Sequence, residues 1–495
     1  MISKHGTLGT LRSIPSVWLL AAALFTLLGA VSAYTAQPWI DEGLFANPAA
    51  NLAAHGVMGT TNLEGEPALA SINQHTYWIM PLYLVAQAGW YKLVGFSLLK
   101  QRALSLIFGI ISLGSLYILV HALIGRSVAL LASFLLAVDY VNIWTASLGR
   151  NDIMCSALGS AGLAAYLAMR NRHFGLAIFS SQLLLACSFF THPNAILWIA
   201  ASTYLMASLD RYRIKLEHSV IAAIPYLIGA MLWGAYILQD PRGFQSQILS
   251  NGQGRFENLF SPLHGVYGEV QRYLQAYGLA GHSTGHTGPI VFKSLVLLAY
   301  LLSLVIILVT PTLRREAGVR RLLTILVLIV FIQCFFNQKL TLYLVHVVPF
   351  YDAVLAVALL WLWNQRRIHR FLVIAAVASL ASLQVCGVLL RARLDEYHRE
   401  YLPAISYLRG HAPQNSRVVG TAALYYGRPF QQTIYDSTLG YYSGRKPDYI
   451  VLDDAMNENI RGLHNPRVLQ FVQNRLTHEY CLVFEGTIYK IYKAL

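Results

Sequence analysis

Apolar residues in this chain fall in long runs, with polar residues gathered in short clusters between them. A membrane-spanning helix needs about 20 mainly apolar residues. Runs near that length occupy 15–35, 100–123, 127–146, 153–169, 174–191, 194–209, 219–238, 289–310, 322–337, 341–363 and 371–390. The pattern predicts an α-helical polytopic membrane protein with about eleven transmembrane helices. Two longer stretches interrupt it, 37–97 and 239–288. The second mixes Gly, Gln, Ser, His and aromatic residues over about 50 positions, the length of a lid or binding loop rather than a connector. Arg255, Arg272, Tyr267, Tyr273 and Tyr277 within it argue for order.

From Arg391 the periodicity changes to that of an α/β domain. Glu396–Gly410 reads as a helix, Arg417–Thr421 as a short strand and Tyr449–Asp453 as a buried strand. Arg467–Leu476 reads as another helix, and Tyr480–Phe484 with Thr487–Tyr492 as a hairpin around Glu485-Gly486. The expected organisation is thus a transmembrane catalytic domain, 1–390, followed by an extracytoplasmic α/β domain, 391–495. About 100 residues suffice for a core of their own.

Charge sets the topology. Arg126; Arg170 and Arg172; Arg211, Arg213 and Lys215; Arg314, Arg315, Arg320 and Arg321; and Arg366, Arg367 and Arg370 fall in every second loop. Positive-inside bias places those loops in the cytoplasm. Lys4 and Arg12 put the amino terminus there too, so 37–97, 239–288 and the tail face outward. Tyr77–Phe96 is apolar enough to raise the question of a further span. Crossing there would carry Asp41 to the cytoplasmic side, so 37–97 reads as an outer loop with interfacial helices. The compact loops suit a bacterial inner membrane.

Composition agrees: 56% hydrophobic and 12% charged residues, with a mean hydropathy of +0.49, exclude a soluble domain. The net charge of +14 lies in the loop clusters, so it marks topology and not nucleic-acid binding. The apolar run Ile14–Thr35 is too long for a signal-peptide core and reads as a span. Cys155, Cys187, Cys334 and Cys386 fall in apolar runs and Cys481 in the tail, with no spacing that suggests a disulfide or a metal knuckle.

The candidate chemistry collects on the outward side. Asp41 and Glu42 stand side by side just beyond the first apolar run, where two carboxylates belong in an interface or polar cavity. His75 lies in the same loop. Arg150-Asn151-Asp152 forms a short outer turn, His192 the next one, and Lys339 with Tyr343 begins the tenth run. Plain readings stand beside these. Asp41 caps a helix starting near Gly43, Asp152 caps 153–169, Arg150 pairs with Asp152 or reaches headgroups, Lys339 anchors the interface, and Arg102 contacts headgroups. A cap accounts for one carboxylate of the adjacent pair and leaves the other unexplained.

The order of these features resembles the polyprenyl-phosphate-sugar-dependent glycosyltransferases of family 39, which include protein O-mannosyltransferases and lipid A aminoarabinose transferases. Trp39-Ile40-Asp41-Glu42, Phe45-Ala46 and Ala53-Ala54-His55-Gly56 are similar to that family's first outer loop. Pro81-Leu82-Tyr83, Trp90 to Gly95 and Arg102 with Leu104-Ser105 resemble its continuation. Arg150-Asn151-Asp152 looks like its Arg-Pro-Asp turn, and Lys339, Tyr343 and Pro349 like a late Lys–Tyr–Pro pattern. The resemblance covers 40–210 and, more loosely, 337–360. One departure counts: where family members carry Glu-Lys before a proline, this chain runs from His75 to Pro81 without a lysine.

The resemblance implies a type C glycosyltransferase-like fold and transfer of a hexose or pentose from a polyprenyl-phosphate donor to an acceptor hydroxyl. The acceptor is a glycan, lipid or protein at the extracytoplasmic face. A single inverting displacement assigns Asp41 as general base with Glu42 beside it. Arg150, Lys339, Tyr343 and His75 are then the donor-phosphate ligands. Should a divalent metal ion take part, Asp41, Asp152 and His75 are the expected ligands. The rival readings are a transporter or flippase of lipid-linked sugars, for which Asp139, Lys293 and Asp352 would be mid-span charges, and a non-catalytic assembly or sensor subunit. No internal repeat, which transporters commonly carry, is visible in the sequence.

Overall fold

The computed structural model describes residues 16–65, 71–252, 261–279, 293–365, 369–427 and 433–495. Lys4, Arg12, Arg255, Arg366 and Arg367, with 253–260 and 280–288 of the second polar stretch, lie outside them.

Among the described residues each of the eleven apolar runs contains helix. In chain order the helices are α1 (Ser16–Thr35), α2 (Ile40–His55), α3 (Pro81–Val94), α4 (Leu98–Leu123), α5 (Arg126–Val138), α6 (Tyr140–Ala146) and α7 (Asn151–Met169). Next come α8 (Phe174–Phe189), α9 (Ala195–Asp210), α10 (Leu216–Ile237), α11 (Pro241–Gly252), α12 (Pro262–Ala276) and α13 (Ser294–Val309). Then follow α14 (Pro311–Arg314), α15 (Ala317–Cys334), a 3-10 segment at Thr341–His346, α16 (Val348–Trp363) and α17 (Arg370–Leu394). Among the described residues six helices are long and apolar enough to cross a membrane, or seven if α5 and α6, bent by 62° at their junction, count as one broken span. Four more, α8, α9, α13 and α16, are apolar but shorter. The chain is an integral membrane protein.

The lipid-facing and protein-facing surfaces are readable from exposure. On α10, Leu227 is 60% and Leu232 70% exposed, as suits an apolar helix that faces hydrocarbon. By contrast α7 is buried along nearly its whole length. Small residues let its neighbours approach: a Cβ at Gly159 would overlap the Trp198 indole of α9. The α5–α6 break falls at Asp139, which ends one helix and caps the next by accepting the Asn142 amide at 2.8 Å.

Beyond α17 lie a π-helical turn at Tyr397–Tyr401, α18 (Leu402–His411), β1 (Val418–Val419), β2 (Thr433–Ile434), β3 (Tyr449–Leu452), α19 (Asp454–Arg461), α20 (Pro466–His478), β4 (Tyr480–Glu485) and β5 (Lys490–Ala494). The sheet order is β2-β1-β3-β5-β4, parallel from β2 to β3 and antiparallel through β5 and β4. Alternation explains why β3 is apolar throughout. Val418 and Val451 enter a core with Ile405 and Leu408, while Val419 and Ile450 enter a second core with Met456, Val468 and Val472. A sheet covered on both faces needs apolar residues at every position.

This α/β domain docks on the 37–97 stretch. Leu63 bridges Tyr435 in parallel, Arg417 pairs with Glu64, and the Tyr489 hydroxyl donates to Gln37 Oε1 at 3.0 Å. At Gly43 of α2 a Cβ would overlap the Ala422 carbonyl, so only glycine allows this approach.

Candidate functional site

The two adjacent acids of α2 have opposite environments. Glu42 is wholly buried and all its acceptor capacity is used. It takes Arg102 Nε at 2.8 Å and Nη2 at 2.6 Å, the Gly149 amide at 2.6 Å and the Trp39 amide at 2.8 Å. The last contact is the acidic half of a capping box, so Glu42, and not Asp41, caps the helix. Arg102 spends its other donors on the carbonyls of Ala33, Ala36 and Gln37 at 2.6 to 2.9 Å, closing the end of α1. Gln101 seals the knot. Its Nε2 donates to the carbonyls of Glu42 and Gly149, and its Oε1 accepts the Tyr91 and Tyr426 hydroxyls.

Four donors occupy the lone pairs of Glu42 that a substrate proton would need, so its place beside Asp41 is that of a supporting neighbour. Arg102 is not a headgroup contact but a fully buried structural cation.

Asp41 stands on the other side of the same turn. Its side chain is 31% exposed and pairs with Arg150 Nη1. Arg150, only 4% exposed, also donates Nε to Asp152 Oδ2 at 2.8 Å, and its guanidinium lies 5.8 Å from the ring centres of both Trp39 and Phe45. One guanidinium thus joins the acids expected to meet, Asp41 at the start of α2 and Asp152 at the start of α7. Asp41 Oδ1 and Arg150 Nη2 make no hydrogen bond to a described residue. Buried Asp152 Oδ1 has no partner either.

The polar track continues inward from Asp152. His192 and His346 both act on it electrostatically. His346 Nδ1 accepts the Trp198 indole N–H at 3.0 Å, which leaves buried Nε2 without a partner. The Tyr343 ring lies 5.4 Å from that of His192, and its hydroxyl donates to Gln338 Oε1 at 3.2 Å. Orphaned buried polar atoms on facing elements mark a place that water or a ligand completes.

Lys339 follows α15 in the chain. Its ammonium donates to Gln333 O at 2.6 Å and to Cys334 O and Glu269 Oε2 at 3.3 Å. All three donors are spent on the last carbonyls of α15 and one carboxylate, the usual work of a lysine closing a helix. Burial depresses its pKa, with Glu269 acting in the opposite sense. Glu269 also pairs with Arg272 of α12, which donates to Gln333 Oε1 at 2.7 Å. Lys339 is tied into the loop by these three bonds.

His75 sits apart from Asp41. Its ring lies between Tyr77 and Tyr236, at 5.8 and 5.5 Å, and its carbonyl accepts Gln247 Nε2 of α11 at 2.9 Å. The expected metal set of Asp41, Asp152 and His75 does not assemble. Arg150 already bridges the two aspartates, and among the described residues no three His, Cys, Asp or Glu side chains group to hold an ion. A guanidinium here supplies the positive charge that a dication would bring.

Sequence reasoning brought Asp41, Arg150 and Asp152 together and missed His346, Arg272 and Glu269. His346 carried the weaker signal, because it lies inside the apolar run 341–363.

No protein-family model matches the sequence, and no curated protein does. Solved structures do match. ArnT from Cupriavidus metallidurans bound to undecaprenyl phosphate superposes with a TM-score of 0.57 at 13% identity, over 97% of this chain and 98% of that one. Its apo state gives 0.58 at 13% identity, covering 96% and 97%. The oligosaccharyltransferase of Archaeoglobus fulgidus gives 0.54 at 11% identity, covering 97% of this chain and 74% of that one. That enzyme has also been solved with dolichol phosphate and an inhibitory peptide, and with zinc and sulfate. The chain shares its overall fold with ArnT and with this oligosaccharyltransferase.

Proposed function

We propose that this protein is a membrane glycosyltransferase that moves a sugar from a polyprenyl-phosphate donor to an acceptor hydroxyl at the extracytoplasmic face. The carrying observation is Asp41: a part-exposed carboxylate held through one oxygen by Arg150 at the mouth of a lipid-facing bundle, with its other oxygen open. The fold supports the reading, since proteins that share it have been solved with undecaprenyl phosphate and with dolichol phosphate.

The step is a single displacement. The acceptor oxygen attacks the anomeric carbon while the bond from that carbon to the donor phosphate breaks, and the electron pair leaves with the phosphate. The acceptor proton passes to Asp41 Oδ1, which general-base geometry requires within hydrogen-bond reach. Configuration at the anomeric carbon inverts. The leaving polyprenyl phosphate gains a negative charge, and Arg150 Nη2 is the donor placed to meet it. Trp39 and Phe45 flank the guanidinium and limit water around it. In this reading the orphaned Asp152 Oδ1 accepts from a sugar hydroxyl and His346 Nε2, protonated because Nδ1 takes the Trp198 indole, donates to one. No step of this scheme is routed through a metal ion, since among the described residues no three His, Cys, Asp or Glu side chains group to hold one.

The amino terminus would lie in the cytoplasm and the α/β domain outside, in a bacterial inner membrane. The deciding measurement is sugar transfer by purified Asp41→Asn protein from polyprenyl-phosphate sugars. Loss of transfer with normal membrane insertion is expected. Undiminished transfer would sink the assignment.

A further inference from the structure

The outer face of α6 carries chemistry that the scheme above leaves unused. Tyr140 and Trp144 are one helical turn apart, with ring centres 6.3 Å from each other, and each faces a cation. Lys293, at the start of α13, lies 3.9 Å from the Tyr140 ring centre. Arg391, near the end of α17, lies 5.2 Å from the Trp144 ring centre and 3.5 Å from the Tyr140 hydroxyl.

No described carboxylate forms an ion pair with Lys293 or Arg391. Glu396 acts on Arg391 only from beyond contact distance. Two donors here are buried without partners, Arg391 Nε and Trp144 Nε1. A cation over an aromatic face gains about 0.5–2 kcal/mol, but the π-face removes no charge. Two cations on one tyrosine, in a poorly solvated setting, repel each other until an anion joins them. Basic residues on an outward side also run against the usual bias, and snorkelling to headgroups would point them away from α6. All four side chains are half-buried, so the wall they form stays open on one side.

This wall is continuous with the Asp41 site. The Trp144 ring centre lies 5.9 Å from that of Trp39, and Trp39 carries Arg150 on its own ring. We propose that Lys293, Arg391 and the Trp144 indole N–H form a second anion subsite, taking the phosphomonoester of a membrane lipid one aromatic wall away from Asp41. Its place rests on the transferase reading, which would use it to anchor an anionic lipid while a hydroxyl elsewhere on that lipid reaches Asp41. Two sources offer the same chemistry: a polyprenyl phosphate, or a phosphorylated lipid on the acceptor side.

The test measures binding without turnover, so it succeeds or fails independently of whether Asp41 catalyses transfer. Full-length protein in phosphatidylcholine nanodiscs is titrated with phosphatidic acid and, separately, with farnesyl phosphate. The Lys293→Gln/Arg391→Gln protein should bind at least one probe roughly tenfold more weakly. The Lys293→Arg/Arg391→Lys protein, which keeps both charges, should bind like the parent. Selective loss of phosphatidic acid assigns the subsite to the acceptor side, and loss of farnesyl phosphate assigns it to a polyprenyl lipid. Unchanged affinity for both probes, or equal loss in the charge-conserving protein, overturns the proposal.

Discussion

Asp41 and Glu42 are neighbours in sequence, identical in charge, and opposite in fate. Glu42 lies at 0% exposure inside a knot that ties α1, α2, α4 and the turn before α7 together. Asp41 lies one helical step away, part-exposed, with one oxygen held and one open. The difference teaches how a helix start builds a reactive site. The inward acid fixes the backbone, and that rigidity lets the outward acid hold a usable geometry. Every donor around Glu42 is matched, whereas the Asp41–Arg150–Asp152 string ends in unpartnered atoms.

The hardest test of the contrast is to neutralise each acid in turn. Asp41→Asn should lower transfer by roughly 10²–10⁴-fold, the range for loss of a general base, with an unchanged melting temperature. Glu42→Gln and Arg102→Ala should do the reverse. Each leaves a buried charge without its partner, at a cost of about 3–5 kcal/mol. Thermal unfolding in detergent should register that loss, while the surviving folded fraction retains transfer. Should Glu42→Gln remain fully stable yet inactive, the two acids would have to exchange roles.

Lys339 extends the contrast to a cation. If it held a donor phosphate, Lys339→Ala would raise the donor KM. Its bonds to Gln333 O, Cys334 O and Glu269 instead predict a stability loss of about 1–3 kcal/mol, with the donor KM near that of the parent. Steady-state kinetics beside a melting curve separate the two.

The apolar runs made the helical architecture legible because a span must satisfy its backbone internally, which forces about 20 apolar residues into continuous order. The Asp41–Arg150–Asp152 grouping was legible because all three sit at helix starts beside apolar runs. Which member of the acidic pair would face inward was not, since helix phase depends on where α2 begins, and it begins at Ile40 rather than near Gly43. The Lys339 tie was hidden for a different reason. It depends on Glu269, 70 residues earlier, and the length of 239–288 gave no sign of where α12 would dock.

Asp453 sharpens the comparison at its weakest end, as a buried acid with no cation beside it. It caps α19 by accepting the Met456 amide at 2.8 Å and also takes the Thr421 hydroxyl at 2.7 Å. Burial raises its pKa above the usual carboxylate range, and those hydrogen bonds only partly oppose the shift. The sign follows. A carboxyl raised in the folded state favours folding while both states are protonated. That advantage is lost as pH climbs from the ordinary carboxylate value through the raised one. Asn keeps an Oδ1 acceptor for the Met456 amide and turns its Nδ2 donor to the Thr421 hydroxyl, which can accept, without the charge. Asp453→Asn should therefore melt at or slightly above the parent temperature at neutral pH, with the gap closing in acid. A clear drop at neutral pH would mean that the Asp453 charge is needed where it lies, as the Glu42 charge is.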